Sequence, residues 1–395
     1  MDDAKARRSR RACSFDARAV PGKSLIRSTP PRPDEFEISV IGPGKGECVV
    51  IHLGDNEWCV VDSCRSRGQS ESVALEYLSD FNNGADGRIK LIVATHWHDD
   101  HVRGLGSILK RAPNAAFYCP IAVQNPMFFQ LVQTSLVGVS GQSGVDEFAS
   151  VLQIIRDRKG GRKIQTPSFA KENCKLLDLT NGERSFPATV TALSPSDSTF
   201  VLALSEIAKL IPIPGDSQLR ITSLDANNTS VVLWIEAGPV TALLGADLLH
   251  TAGYSDVGWN AVLNCQTYHR KAPFFKVPHH GSMTADCPEA WKKALAANPI
   301  AVVTPFNSSR LPRPADLARL ATRTPNLHCT AKGAGKAPAR DPIVDKTMRL
   351  EVKDRRVIEG LPGHVRVRWP LGSETPNEVE HFHGAYHYES DAVEP

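Results

Sequence analysis

The sequence predicts an α/β fold, and two observations carry that prediction. Short apolar runs rich in β-branched residues alternate with helix-like segments over much of the 395-residue chain. A dense group of histidines and aspartates follows directly after one of these short runs. In layered α/β folds the active site lies at the carboxyl ends of strands, so the two features belong together.

The predicted fold begins with three strands separated by glycine-containing turns. These strands span Phe36–Ile41, Cys48–Leu53 and Trp58–Val61. A helix over 71–81 and a short buried strand over Ile89–Ala94 are predicted to follow. The group of histidines and aspartates begins where this last strand ends.

Both ends of the chain are predicted to be tails. Residues 1–33 are basic and close with a proline cluster, which is typical of a disordered arm rather than a nucleic-acid contact. Residues 371–395 are polar and contain His381, His383 and His387. We interpret these histidines as part of a tail without function rather than as a metal-binding tract.

The residues between the tails, 34–370, are predicted to form one domain, and a chain of this length can bury a sizeable core. Residues 112–222 are predicted to be a helical insertion, with a helix-like run at Phe148–Ile155 and a polar loop over 171–184. Inserted segments of this kind often shape a pocket.

The composition is that of an ordinary soluble protein, with 41% hydrophobic and 23% charged residues. Its net charge of +3 neither favours nor excludes nucleic acid as a partner. The nine cysteines include no Cys-x-x-Cys pair, so we expect no disulfide framework and a cytoplasmic location. No apolar stretch reaches the roughly 18 residues that cross a bilayer, so no membrane association is predicted.

The His-rich run is the most informative feature of the sequence. His96, His98, Asp100 and His101 place four side chains that can bind metal within six residues. His96 and His98 are two apart at a strand end, so they point the same way. Imidazole and carboxylate suit zinc, and they also suit manganese or iron. The run therefore predicts a metal site.

Two later groups repeat this placement after a strand. Asp247 follows the strand Val240–Leu244, where a carboxylate could bridge two cations or cap a helix. His279 and His280 follow the strand Phe274–Val277, either as a second part of the site or as ordinary turn residues.

These motifs resemble a known family. Thr95–His101 resembles the His-x-His-x-Asp-His signature of the metallo-β-lactamase superfamily, and Asp62 is similar to the aspartate that supports its metal loop. Three later stretches are similar to the hydrolase domain of ComEC-type DNA-uptake proteins: Asn227–Leu233, Leu243–Asp247 and Lys276–Ser282.

The resemblance implies an αββα sandwich of two mixed β-sheets flanked by helices, with two divalent metal ions. It assigns His96 and His98 to the first ion, Asp100 and His101 to the second, and Asp247 to a bridge. Of the histidine pair, His279 is favoured as the last ligand because it comes first after the strand. Asn227 stands where most of the superfamily has histidine, so it is expected to be a weak ligand at most.

The predicted function is a phosphodiesterase or nuclease that acts through a metal-bridging hydroxide, with zinc in first place and manganese as the alternative. Asp100 would orient the nucleophile, and His280 would protonate the leaving oxygen. Ser282, Thr284 and Lys276 could hold phosphate oxygens. The partner would be a phosphodiester substrate, with nucleic acid among the candidates, and Arg103 near the site agrees with this.

Two alternatives stay open at this stage. The same metal centre would serve a hydrolase of small esters, lactones or lactams. A catalytically weak regulatory or partner-binding protein could also retain the fold, although the nearly complete ligand set argues against it.

Overall fold

The two β-sheets dominate the fold. The computed structural model describes residues 29–42, 45–66, 71–81, 85–124, 144–158, 167–209, 226–265, 270–333 and 362–389. Most of the predicted basic tail, residues 1–28, lies outside the described residues. Within the described residues, each of the two sheets has eight strands.

The first sheet has the order β15-β14-β1-β2-β3-β4-β5-β6. Its strands are β1 (Phe36–Gly42), β2 (Cys48–Leu53), β3 (Trp58–Val61), β4 (Ile89–Val93), β5 (Ala116–Pro120), β6 (Ser168–Ala170), β14 (Gly363–Trp369) and β15 (Glu378–Phe382). The pairs from β3 to β6 are parallel and the others are antiparallel. Strands β1, β2 and β3 are buried at every residue, which is why they read as continuous apolar runs in the sequence.

The second sheet has the order β16-β13-β12-β11-β10-β9-β8-β7. Its strands are β7 (Cys174–Leu179), β8 (Ala188–Ala192), β9 (Leu233–Ala237), β10 (Val240–Leu244), β11 (Ala272–Lys276), β12 (Leu295–Val303), β13 (Leu327–Cys329) and β16 (Tyr386–His387). The pairs from β10 to β13 are parallel and the others are antiparallel.

Helices cover the outer faces of the sheets. The α-helices are α1 (Val73–Ser79), α2 (Asp99–Val102), α3 (Leu105–Arg111), α4 (Gly144–Asp157), α5 (Asp197–Lys209), α6 (Trp259–Asn264), α7 (Pro288–Lys293) and α8 (Pro314–Ala321). Among the described residues, no helix is both long and apolar enough to span a bilayer.

Three apolar clusters correspond to the three interfaces between layers. One joins side chains of both sheets, such as Ile51 and Ile235. A second packs α1, α3 and α4 on the first sheet, and a third packs α6 and α7 on the second. The αββα sandwich implied by the resemblance is therefore confirmed.

The sheet topology brings the predicted motifs to one edge. In the second sheet, Leu244 of β10 pairs with Lys276 of β11, and Lys276 pairs with Val302 of β12, all in parallel register. In the first sheet, Val61 pairs with Val93, also in parallel. Because parallel neighbours end at the same edge, the residues after these strands meet there.

Two predictions about chain organisation need correction. The stretch 112–222 is not only a helical insertion, because it supplies β5 and β6 to the first sheet and β7 and β8 to the second. Strand β7 lies within the predicted polar loop; its burial is only partial, which explains its polar sequence. The helix-like run Phe148–Ile155 lies inside α4, as predicted.

The C-terminal segment from residue 371 also differs from the predicted polar tail. Strand β15 pairs with β14 at the end of the first sheet, and β16 pairs with β13 at the end of the second. Both are partly exposed edge strands, so they carry polar residues and lack the apolar alternation of a half-buried strand.

Candidate metal centre

Asp62 holds the start of the His-rich run in place. It follows β3 directly and has a positive φ of 58°. Its Oδ1 accepts a hydrogen bond of 2.7 Å from the backbone N of Thr95, and its Oδ2 accepts one of 2.6 Å from Thr95 Oγ1. His101 donates from Nδ1 to Asp62 Oδ2 at 2.7 Å. Asp62 therefore orients the run, in agreement with the supporting role implied by the resemblance.

Three histidines of the site share one hydrogen-bonding pattern. His96 Nδ1 donates to Thr95 Oγ1 at 3.0 Å, since that hydroxyl already donates to Asp62. His101 Nδ1 donates to Asp62, and His280 Nδ1 donates to the carbonyl oxygen of Thr304 at 2.9 Å. With Nδ1 protonated, the neutral ring of each histidine carries its lone pair on Nε2.

These Nε2 atoms converge on the carboxylates of Asp100 and Asp247. His101 Nε2 lies 3.6 Å from Asp100 Oδ2 and 3.4 Å from Asp247 Oδ1. His280 Nε2 lies 3.2 Å from Asp100 Oδ2 and 3.6 Å from Asp247 Oδ2. His96 Nε2 lies 3.9 Å from Asp247 Oδ2. Asp247 thus faces all three rings, with Oδ2 toward His96 and His280 and Oδ1 toward His101.

The donor atoms fit cations. A lone pair on Nε2 and a carboxylate oxygen repel each other unless a proton or a cation lies between them. The buried Nε2 of His101 and the buried Oδ1 of Asp247 face each other at 3.4 Å, close enough to share a proton or a cation. Nitrogen and oxygen donors of this kind are the usual ligands of zinc and of manganese.

The charge of the site leads to the same conclusion. Four buried carboxylates lie near the histidines: Glu47, Asp62, Asp100 and Asp247. One buried lysine, Lys276, carries a compensating positive charge. Burial lowers the pKa of His101, but Asp247 and the other carboxylates raise it well above its usual value. The pKa of His280 is raised in the same way. This excess of negative charge is what divalent cations would neutralise.

The turns that present these ligands have unusual backbone conformations. Ala246, His279 and His280 have positive φ values of 46°, 46° and 53°. Such values are rare for residues other than glycine and cluster at functional sites. The turn at 279–280 sends neighbouring side chains in different directions.

The structure places the histidine pair differently from the prediction. His280 is buried, and its Nε2 lies close to both Asp100 and Asp247, whereas His279 is half-buried and contacts other residues. His279 Nε2 lies 3.4 Å from Asn227 Nδ2, and its Nδ1 lies 3.2 Å from Thr284 Oγ1. The geometry thus favours His280 over His279 as the last ligand.

The remaining predicted residues fall on two sides of this cluster. His98 is half-buried, with Nδ1 3.2 Å from His96 Nε2, so it lies at the more open side. Ser282 is half-buried and Thr284 is exposed at the same rim as His279, and their hydroxyl oxygens are 3.0 Å apart. Arg103 is exposed and pairs with Asp99 at 2.6 Å.

Lys276 does not occupy the position expected of a substrate contact. Its side chain is 1% exposed, and its Nζ lies 2.5 Å from Glu47 Oε2. The expectation of a phosphate contact is therefore corrected, because the ammonium group faces the interior. The strand β11 is central in its sheet, which explains why its last residue is buried.

Sequence reasoning missed Glu47 and Thr304. Glu47 Oε1 lies 3.8 Å from His101 Nδ1, and Glu47 belongs with His101, Asp247 and His280 to a group whose ligand atoms lie within 4.8 Å of one another. The only signal in the sequence was a carboxylate next to a glycine-rich turn, which says nothing about its distant partners.

Comparisons with known proteins agree with this fold. The sequence model of the metallo-beta-lactamase superfamily matches residues 41–201, a range that includes Asp62 and the His-rich run. The chain has the metallo-β-lactamase fold. The match supports the superfamily that the run predicted, and the fold with its buried cluster indicates a metal-dependent hydrolase.

Several solved structures are similar to the chain at low identity. The metallo-beta-lactamase fold protein YhfI from Bacillus subtilis is 14% identical, with 76% of this chain and 98% of that chain covered and a TM-score of 0.39. Rm3 metallo-beta-lactamase is 12% identical, with 66% and 83% covered and a TM-score of 0.31. A comparison with curated proteins gives no match.

Proposed function

We propose that this protein is a metal-dependent hydrolase of phosphodiesters that uses two divalent cations, zinc first and manganese as the alternative. The observation that carries the proposal is the convergence of three histidine Nε2 atoms on Asp100 and Asp247. Few arrangements other than a metal centre bring so many imidazole nitrogens and carboxylates together in a protein interior.

The ligands divide into two sets that share Asp247. His96 and His98 would hold the first cation, with the amide of Asn227 as a weak third ligand. Asp100, His101 and His280 would hold the second cation. The second set is the more deeply buried one, so we expect its cation to be bound more tightly.

Bound cations would supply Lewis acidity and lower the pKa of a coordinated water toward neutrality. The residues of the chain would do the rest. Asp100 would accept a hydrogen bond from the attacking water. His279 is half-buried beside the rim hydroxyls, so we assign to it the role of proton donor to the leaving oxygen that the sequence suggested for His280.

Two features support phosphodiesters as the substrate class. The motifs around Asn227, Asp247 and His280 resemble those of ComEC-type hydrolase domains, which belong to DNA-uptake proteins. The hydroxyls of half-buried Ser282 and exposed Thr284 lie beside His279, where they can donate hydrogen bonds to phosphate oxygens.

A second candidate class is small esters, lactones or lactams. One observation favours it: Met283 lies between the two rim hydroxyls and is 61% exposed, so the rim also presents an apolar surface. Such a surface suits an uncharged substrate better than a nucleic acid.

Hydrolysis assays with and without added Zn²⁺ or Mn²⁺ test the proposal. The substrates are bis(p-nitrophenyl) phosphate, DNA, RNA, a chromogenic β-lactam and a lactone, and the control is Asp247→Asn, which keeps the volume of the bridging side chain. We expect cation-dependent cleavage of phosphodiesters that the variant loses. Cleavage of the lactam or lactone alone would refute the phosphodiester proposal and support the second substrate class. No cleavage of any substrate would refute both proposed substrate classes.

A further inference from the structure

We propose that the buried ion pair of Glu47 and Lys276 is a positioning clamp for the second cation set. This inference rests on the proposed function and extends it to residues that do not bind the cations themselves. Glu47 directly precedes β2 of the first sheet and Lys276 ends β11 of the second, and the pair lies beside each of the three segments that carry the ligands of the second set and Asp247.

The clamp is fully inside the protein. Glu47 is 2% exposed and Lys276 is 1% exposed, and Glu47 Oε2 also accepts a hydrogen bond of 2.5 Å from Thr304 Oγ1. A buried ion pair is poor evidence for stability, because desolvation of the two charges offsets much of their attraction. Its position beside the ligands therefore suggests a role in the site.

Glu47 holds the His-rich run from one side. Its backbone N donates to the carbonyl oxygen of Asp100 at 3.0 Å, and its Oε1 lies 3.8 Å from His101 Nδ1. Gly46 makes this approach feasible, since a Cβ at that position would lie 2.4 Å from the same Asp100 oxygen. The backbone of Glu47 thus fixes the segment that bears two ligands.

Lys276 holds the turn that presents the bridging carboxylate. Its Nζ donates to the carbonyl oxygen of Ala246 at 3.3 Å, directly before Asp247. The backbone N of His279 donates to the same oxygen at 2.9 Å. Ala246 has a positive φ, so these two bonds stabilise a conformation that alanine would otherwise avoid.

Thr304 connects Glu47 of the clamp to His280. Its hydroxyl donates to Glu47, and its carbonyl oxygen accepts the bond from His280 Nδ1 that leaves Nε2 facing Asp100 and Asp247. Glu47 Oε2 lies 3.8 Å from the same Nδ1 and favours a proton there. The clamp therefore sets the tautomer and direction of His280, as outer partners of metal-binding histidines do.

Zn²⁺ titration of the full-length chain in competition with a chromogenic chelator tests the clamp. Glu47→Gln keeps the size and the hydrogen-bonding oxygen of the side chain but removes its charge. The matched control is Glu37→Gln, because Glu37 is equally buried and also pairs with one cation, Arg368, and with the hydroxyls of Ser39 and Tyr77. Thermal unfolding of the metal-free proteins measures how much each substitution lowers the stability of the fold.

We expect Glu47→Gln to weaken the tighter Zn²⁺ by about 10- to 100-fold, the usual effect of losing an outer partner, and Glu37→Gln to leave both affinities unchanged. Glu47→Asp should restore part of the affinity. The absorption spectrum of the Co²⁺-loaded protein should change in Glu47→Gln only, because it reports the geometry of the ligands.

Two results would overturn the clamp. Wild-type Zn²⁺ affinity in Glu47→Gln would show that the pair does not position the ligands. An equal loss in Glu37→Gln would show a general effect of removing a buried charge. If Glu47→Gln does not fold, Zn²⁺ affinity is measured in Thr304→Val instead. This variant replaces the hydroxyl that donates to Glu47 with a methyl group of similar size. A wild-type protein that binds no Zn²⁺ would refute the proposed function, and the clamp with it.

Discussion

Two groups of histidines in this molecule have opposite electrostatic surroundings. In the candidate metal centre, His96, His101 and His280 turn Nε2 toward two aspartates. In the second group, which lies at the edge of the sheets, the buried ring of His328 stands between those of His381 and His387. The ring centroids there are 5.0 Å and 4.9 Å apart, with tilts of 36° and 32°.

The nitrogens of the second group are used within the protein. His328 Nδ1 and His381 Nε2 are 2.9 Å apart, and His387 Nε2 donates to the carbonyl oxygen of Pro325 at 2.7 Å. The nearest described carboxylate, Glu389, lies 4.0 Å from His387 and is 86% exposed on its side chain. These histidines therefore join β13, β15 and β16 and form no cation site like the first.

The difference shows in the pKa values. Burial and the two neighbouring histidines lower the pKa of His328 to about 3. Burial also lowers the pKa of His101, but Asp247 and the other carboxylates reverse the effect and raise it well above 6.5. The carboxylates that face the Nε2 atoms thus distinguish the candidate metal centre from the second group.

The largest expected effect distinguishes the histidines of the candidate metal centre from those around His328. His101→Ala should abolish binding of one Zn²⁺ and lower the proposed hydrolysis by about 10³-fold or more, because a ligand of the reacting centre is lost. His328→Ala should leave both Zn²⁺ ions and the activity in place. The number of Zn²⁺ ions bound per chain and kcat/KM are measured for both variants. A loss of bound Zn²⁺ in His328→Ala would contradict the distinction between the two histidine groups.

The next effect concerns Asp62, which accepts hydrogen bonds from Thr95 and His101. Asp62→Asn should weaken Zn²⁺ binding by about 10- to 100-fold without changing the number of ions at saturation. Chelator competition measures this change. An unaltered affinity would mean that His101 is oriented by packing alone.

Acid should destabilise the second group. The native pKa of His328 is about 3 and lies below the unfolded value of 6.5, so the unfolded state takes up the proton first as the pH falls. The corresponding stability is complete above pH 6.5 and is lost between 6.5 and about 3. At pH 5 the loss should be about 2 kcal/mol.

Urea unfolding at pH 7 and pH 5 measures this loss, and His328→Gln is the variant that should lack it. The metal-free wild type is the reference, so that loss of cations from the first group does not contribute. An equal decrease in the free energy of unfolding of both proteins would show that the acid sensitivity comes from groups other than His328.

The smallest expected effect is at the rim. Ser282 is half-buried, and its hydroxyl oxygen forms hydrogen bonds with Thr284 in the same turn. For a phosphodiester substrate, Ser282→Ala should raise KM by less than about tenfold with kcat unchanged, since one exposed hydrogen bond is lost. A large decrease in kcat would instead place the serine in the reacting part of the site.

Much of the fold and of the metal centre could be predicted from the sequence. The His-rich run lies in six residues after one strand, so its ligands are close whatever the rest of the chain does. Asp247 could be predicted because it follows a strand, and parallel strands end at one edge. The resemblance of these motifs to the metallo-β-lactamase superfamily then implied the sandwich.

Three features were decided only by the tertiary structure. His279 and His280 follow the same strand, and the positive φ values of their turn determine which ring faces inward. The partners of Glu47 are Lys276, the last residue of β11, and Thr304, directly after β12, so no local pattern reveals them.

The third is the C-terminal edge of the two sheets. Strands β15 and β16 are stabilised by pairing with β14 and β13, and their own composition is that of a tail. The sequence by itself determined the local ligands and the class of fold, because short-range spacing and strand order carry that information. Which histidine turns inward, which charges meet and where the chain ends in a sheet depended on long-range contacts that form only in the folded protein.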